Sequence, residues 1–392
     1  MVTPSRPDKT PKRVHDAITS ECARARPRPG IRAKMLWLLL LLGTASLARA
    51  DEAAFKVGVV SRDFVPSAAY DWRGAGLHAL RTTVWYPAAA DAREETQWIG
   101  PPLLPFIDAG RAARDAAPAA GPPRPLIVLS HGFGGTASDL AWLGTALAAH
   151  GFIVAAVNHP GNNGLETETV EGYALMWLRA VDLAAVIDAL RDDGTLGARI
   201  DPARIGAAGH SYGGDTVILL AGGIADPERL LAFCRSPAAD ALCTPTRATA
   251  ELRDRSRARL ASDPAFRQRY DNAGRSYRDP RIRAVFAMAP GPGPIFTPES
   301  LGAIAIPVAL AIGSADAITP PASGADALAR AIPHAALTTF RDAGHFVFFA
   351  ACTATGRLFL RTACNDPTGV DRDTIHDETI RLARDFFDTN LR

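Results

Sequence analysis

The sequence predicts an α/β fold: a mostly parallel central sheet with helices on both faces and an inserted cap. Three observations carry that expectation. Apolar, β-rich runs alternate with helical patterns along the chain. A serine bracketed by glycines, Gly209-His-Ser-Tyr-Gly213, stands where one such run gives way to a helix. Residues 224–280 then interrupt the alternation with an Arg- and Asp-rich stretch that holds no strong apolar strand.

Taken in order, the first strands fall near Lys56–Val60 and Leu80–Tyr86. An Ala/Pro/Gly-rich linker at Gly110–Pro123 precedes the strand Pro125–Ser130, and His131-Gly-Phe-Gly-Gly135 reads as a loop. A helix over 138–150 leads to the strand Phe152–Val157, and a long amphipathic helix covers 172–193. Asp201-Pro202 opens the next unit. The strand Arg204–His210 delivers Ser211, and the helix Tyr212–Gly222 follows. The interruption has helical spacing around 248–262 and reads as a cap inserted at about 224–280. The sheet resumes with Ile282–Met288, Ile306–Ile312 and Ala336–Phe340, and a final helix covers about 372–390.

The N-terminus is of another kind. Within the 392 residues, positions 1–34 are polar, proline-rich and basic, and Met35–Ala50 is an apolar run behind Arg32 and Lys34 that ends in Ala48-Arg-Ala50. This is the pattern of a secretory signal peptide, and at about a dozen apolar residues it is too short to span a bilayer. Residues 1–50 are therefore expected to be an extension and signal peptide, and 51–392 one domain that is periplasmic or secreted. Removing 1–50 takes away ten of 43 Lys/Arg and three of 41 Asp/Glu, leaving 33 against 38 and a net charge of −5. That balance, with no basic stripe, argues against a nucleic-acid partner. No stretch beyond residue 50 looks like a membrane anchor; the oligomeric state is left open. Four cysteines remain, Cys234, Cys243, Cys352 and Cys364, and in an exported chain an even count suggests two disulfides. Three connectivities are possible, and proximity favours Cys234–Cys243 and Cys352–Cys364. No C-x-x-C or paired histidine accompanies them, so no metal is expected.

The chemistry centres on Ser211. Gly-x-Ser-x-Gly is the form of a nucleophile elbow, in which a strand turns so sharply into a helix that the serine hydroxyl projects clear of the sheet. A serine is scarcely ionised at neutral pH, so it needs a base. In α/β-hydrolases the partners follow in the order Ser…Asp/Glu…His, which leaves His334, His345 and His376. His345 lies in Asp342-Ala-Gly-His-Phe346, a loop past the last strand, whereas His334 precedes that strand and His376 falls within the terminal helix. The acid is expected at Asp316, in the loop after Ile306–Ile312, where it can orient His345. An Asx-turn role would explain the same aspartate, and Asp342 is the fallback. The oxyanion donors are expected to be the backbone amides of Tyr212, just after the nucleophile, and Phe133, in the glycine-rich loop.

Three segments together, Leu129-Ser-His-Gly-Phe-Gly-Gly135, Ala149–His159 and Gly209-His-Ser-Tyr-Gly-Gly214, resemble the secreted platelet-activating-factor acetylhydrolases and the bacterial predicted dienelactone hydrolases. Val57–Pro87 and His159-Pro-Gly-Asn162 fit the same group, and the likeness covers most of residues 55–390. It implies an α/β-hydrolase fold and a serine esterase. Two departures matter. True dienelactone hydrolases use cysteine where this chain has Ser211. The acetylhydrolases place their acid after an earlier strand, and the similar segment here, Ala284–Pro290, has no carboxylate. Asp316 is instead the acid position of ordinary α/β-hydrolases and bacterial polyester hydrolases.

The expected protein is thus an exported serine hydrolase of carboxylic esters, working through an acyl-enzyme with Ser211, His345 and Asp316 and no cofactor or metal. Its substrate would be a small-molecule or lipid-like ester. A phospholipase-like acetylhydrolase, a polyester hydrolase and an amidase are the runners-up within the class. A non-catalytic binding protein on the same fold is the alternative outside it.

Overall fold

The computed structural model describes residues 55–66, 78–245 and 247–392. The expected extension and signal peptide, 1–50, lie outside the described residues. Among the described residues, eleven strands form one sheet: β1 (Lys56–Phe64), β2 (Leu80–Ala88), β3 (Glu95–Ile99), β4 (Ile107–Arg114), β5 (Arg124–Ser130), β6 (Ile153–Val157), β7 (Ile200–His210), β8 (Ile282–Met288), β9 (Val308–Gly313), β10 (Ala336–Phe340) and β11 (Ala351–Cys352). Their order is β10-β9-β8-β7-β5-β6-β2-β1-β4-β11, with β3 paired to β4. From β10 to β6 every pair is parallel. β2 is antiparallel to both β6 and β1. The parallel strands are near-continuous apolar runs because helices cover both faces: Leu126 to Leu129 of β5 and Val154 to Ala156 of β6 are fully buried or nearly so.

Parallel strands all present their C-terminal ends to one edge, and ligands in open α/β sheets bind there. Here that edge carries the loops after β5, β7, β8, β9 and β10. The C-terminal helix Arg372–Asn390 closes one face, burying Ile375, Thr379, Ala383 and Phe387, a strict four-residue repeat.

Three expected elements differ. The linker expected at Gly110–Pro123 is in its first part strand β4, which β3 flanks on one side. Alanine-rich Ile107–Arg114 has little strand propensity; its pairing and the burial of Ala109, Ala112 and Ala113 decide its state. The helix expected over 172–193 is broken into Val170–Ala174, a 3-10 turn at Met176–Leu178, and Arg179–Arg191. Strand β7 begins at Ile200, so Asp201-Pro202 lies inside it, tolerated where its register with β5 shifts.

Residues 224–280 form the helices Pro227–Cys234, Arg247–Ser262 and Pro264–Asp271. The first and last each start with proline behind an aspartate whose carboxylate accepts a first-turn amide. Cys234 and Cys243 are bonded within this insertion, and Cys352, at the end of β11, is bonded to Cys364. Arg259 forms an ion pair with Glu171, tying the insertion to the segment beside the glycine-rich loop.

Candidate active site

Ser211 holds φ 56° and ψ −122°, a conformation rarely adopted by a residue with a side chain. Its neighbours enforce it. A β-carbon on Gly213 would lie 1.8 Å from the Ser130 carbonyl oxygen, and one on Gly209 would lie 2.1 Å from the Gly213 oxygen. Only glycine lets β5, β7 and the helix Tyr212–Ala221 meet so closely. The Ser211 amide donates to the Met288 carbonyl at 2.9 Å, which anchors the elbow to β8.

The loops after β9 and β10 bring Asp316 and His345 together. They are joined by hydrogen bonds from the Ser314 amide to Phe340 and from the Ala315 amide to Ala343. Nδ1 of His345 lies 2.7 Å from Oδ2 of Asp316, both residues buried. The other carboxylate oxygen accepts from the amides of Ile318 (2.9 Å) and Thr319 (2.8 Å). The Asx turn and the imidazole pairing therefore coexist, one oxygen each. Burial pushes the Asp316 carboxyl up, but the His345 hydrogen bond and charge and the two amides outweigh it and hold it below its ordinary value. The proton on Nδ1 then leaves Nε2 of His345 free to accept.

Asp342 is placed elsewhere. It is exposed, its amide bound to Ser314 Oγ. His334 sits at the entry to β10 with φ 58°. His376 is buried against Trp142, its Nε2 donating to the Val347 carbonyl at 2.9 Å. Ser211 Oγ makes no hydrogen bond among the described residues. The elbow meets the histidine loop through His210, whose Nε2 donates to the His345 carbonyl at 3.1 Å and whose ring lies 4.8 Å from that of His345. Burial and the neighbouring His345 push His210 down to about 3, so it is a neutral brace rather than a second base. A serine–imidazole contact commonly tightens only once substrate is bound.

The expected oxyanion donors flank the serine. A β-carbon on Gly132 would lie 3.4 Å from that of Ser211, so the Gly132–Phe133 peptide runs beside that serine. The Phe133 amide has no acceptor among the described residues. Tyr212 is the first residue of its helix, where an amide has no partner within the helix. The Phe133 and Tyr212 rings meet edge to face at 5.6 Å, and Tyr173 stands edge-on to Phe133 at 6.0 Å.

Sequence reasoning missed several residues here. Thr319 Oγ1 donates to Asp316 Oδ2 at 2.9 Å, and the Asp-x-x-Thr spacing was its signal. Behind the glycine-rich loop lies a second serine–histidine–aspartate set: Ser130 Oγ is 3.0 Å from His159 Nε2, and His159 Nδ1 is 2.8 Å from Asp182. All three are fully buried, so no ester can reach Ser130, and the set is structural. Among the described residues, no group of three or more His, Cys, Asp or Glu could hold a metal ion. No described helix is long and apolar enough to cross a membrane.

The family described as serine aminopeptidase, S33, matches residues 121–350. Cutinase est1 of Thermobifida alba is 36% identical over 97 residues, covering 24% of this chain and 29% of the cutinase. The platelet-activating factor acetylhydrolase of Cavia porcellus is 33% identical over 134 residues, covering 24% of this chain and 31% of that protein. The matches thus span about a third of those relatives' lengths. A ferulic acid esterase from Streptomyces cinnamoneus superposes with a TM-score of 0.56 at 22% identity, covering 88% of this chain and 92% of that one. At that identity the likeness is one of fold.

Proposed function

This chain belongs to the serine aminopeptidase S33 family of hydrolases, and we propose that it is an exported serine esterase that cleaves carboxylic esters through an acyl-enzyme. Ser211 Oγ attacks the ester carbonyl and its proton passes to Nε2 of His345. The Phe133 and Tyr212 amides receive the developing oxyanion. His345 then gives the proton to the departing alcohol. Water, deprotonated by the same imidazole, attacks the acyl-enzyme, and the acid leaves with Ser211 restored. Asp316 keeps the proton on Nδ1 and stabilises the imidazolium. No step requires a metal or cofactor. The His345–Asp316 pair, bonded through the His345 carbonyl to His210 next to a strained Ser211, carries this reading, and the names of the cutinase, acetylhydrolase and ferulic acid esterase relatives point to esters. Export rests on the expected leader and the two disulfides.

A second reading of the substrate, an ester presented at an apolar lipid or polymer surface, is favoured by one cluster. Leu103 (93% exposed), Leu104 and Trp98 are exposed on the segment leading into Phe106, and Leu358 and Phe359 (64%) on the segment that the Phe106–Phe359 ring contact joins to it.

The test is hydrolysis of p-nitrophenyl esters of graded chain length by the purified exported protein, run beside matching anilides and a polyester film. Ester turnover above anilide turnover supports the reading. Anilide cleavage without ester cleavage makes the protein an amidase, and preference for the film favours the surface substrate. N-terminal sequencing should find Asp51 first; a chain retained in the cytoplasm with its leader refutes export.

A further inference from the structure

We propose that Arg179 and His131 form a relay that aims the Phe133 amide at the oxyanion, making Arg179 a positioning residue of the reaction. The inference rests on the esterase reading above. Arg179 opens the helix Arg179–Arg191 and is buried behind the glycine-rich loop. Its Nη2 donates to the His131 carbonyl. The His131 ring has three polar neighbours, and the one beside Nδ1 at 3.3 Å, Arg179 Nη2, can only donate and so makes no hydrogen bond to a protonated Nδ1. Nε2 faces the His159 amide at 3.2 Å and must accept from it. Nδ1 therefore carries the proton and donates to the Gly132 carbonyl at 2.6 Å. Burial first, and the neighbouring guanidinium second, hold His131 neutral.

A planar trans peptide points its carbonyl and its following N–H in opposite directions. Holding the Gly132 carbonyl toward His131 therefore turns the Phe133 N–H the other way. That peptide runs beside Ser211, and its N–H has no other acceptor among the described residues. The His131 carbonyl that Arg179 grips belongs to the preceding peptide, so Arg179 and His131 act on two successive planes of the loop, the second of them also held by the Gly135 amide, which donates to the Gly132 carbonyl at 3.2 Å. A donor misplaced by about 1 Å can cost a hundredfold in rate.

Arg179→Met, which keeps the volume of the side chain but no donor, is the variant to measure on a p-nitrophenyl ester. Expected is a kcat lower by about 100-fold with KM within about twofold. Affinity for an alkylboronic acid, whose tetrahedral oxygen occupies the oxyanion position, should fall in parallel, and Arg179→Gln, which restores a donor, should recover part of both. Unchanged kcat and boronate affinity overturn the relay, as does a rise in KM alone. Inactive wild type, or wild type unlabelled at Ser211 by a fluorophosphonate, overturns the esterase reading and the relay with it. If Arg179→Met does not fold, the ring 15N shifts of wild-type His131 decide. A neutral Nδ1–H form supports the relay and an Nε2–H form refutes it.

Discussion

His345 Nδ1 lies 2.7 Å from Asp316 Oδ2, and the same carboxylate spends its other oxygen on the amides of Ile318 and Thr319. The loop that holds the acid is thus built by the acid. Asp316→Asn keeps the turn but offers the imidazole an amide in place of a charge. Turnover should fall by about 10³- to 10⁴-fold, as for other triads that lose the acid's charge, with melting temperature little changed. Steady-state kinetics and a thermal melt check this; unaltered turnover would remove Asp316 from the mechanism.

Gly213→Ala tests the elbow itself. The added methyl would sit 1.8 Å from the Ser130 oxygen, so the helix Tyr212–Ala221 must shift away from β5 and carry Ser211 with it. Loss of activity by about 100-fold or more is expected, with a lowered melting temperature. Wild-type kinetics in this variant would mean that the close approach is not needed.

Acid should destabilise the protein through buried histidines. Burial, above all, pushes His376 down to about 4. The unfolded chain takes up that proton near pH 6.5, so between 6.5 and 4 the unfolded state binds more protons and stability falls as pH falls. The shift amounts to roughly 3 kcal/mol for His376 alone. His210 and His131 add to it in the same direction. Asp316, held below its ordinary value, adds a further loss only in stronger acid. The carboxyls of Asp139, pushed up to about 6 by burial, and of Asp215, pushed up likewise, act in the opposite sense over the same range, so the test is a difference: in denaturant titrations from pH 7 to 4, His376→Gln, still able to donate to Val347, should lose less stability than the wild type. Equal slopes in the two proteins would contradict burial of His376 as a neutral group.

The Cys352–Cys364 disulfide closes a loop of 12 residues just beyond the histidine segment. Replacing both cysteines by serine should cost about 3 kcal/mol on the chain-entropy account. Because β11 and Arg372, which donates to the Ala350 carbonyl, fix the same segment, turnover should fall as well. Equilibrium unfolding beside kcat would reveal a disulfide that matters to neither.

The fold and the meeting of Asp316 with His345 were legible in the sequence for a common physical reason. Alternating apolar runs report burial on both faces of β5 to β9, and the glycines around Ser211 report a crossing too close for any side chain. Asp316 and His345 each follow such a run, so chain order alone suggested that their loops would meet. Strands β3 and β4 were hidden because Ile107–Arg114 is alanine-rich, and pairing rather than propensity makes it a strand. The break before Arg179 was hidden too, since the pattern over 172–193 reads as one helix. With it went the role of that arginine, which depends on a contact across 48 residues.

The central claim is that Ser211 alone is the nucleophile, although it is Ser130 that sits in a fully hydrogen-bonded serine–histidine–aspartate set. The most direct measurement is peptide mapping of the protein after reaction with a fluorophosphonate, together with ester turnover of Ser211→Ala. The label should fall on the peptide holding Ser211 and nowhere else, and the variant should lose turnover by about 10⁶-fold while remaining folded. Label on Ser130, or esterase activity retained in Ser211→Ala, would contradict the account.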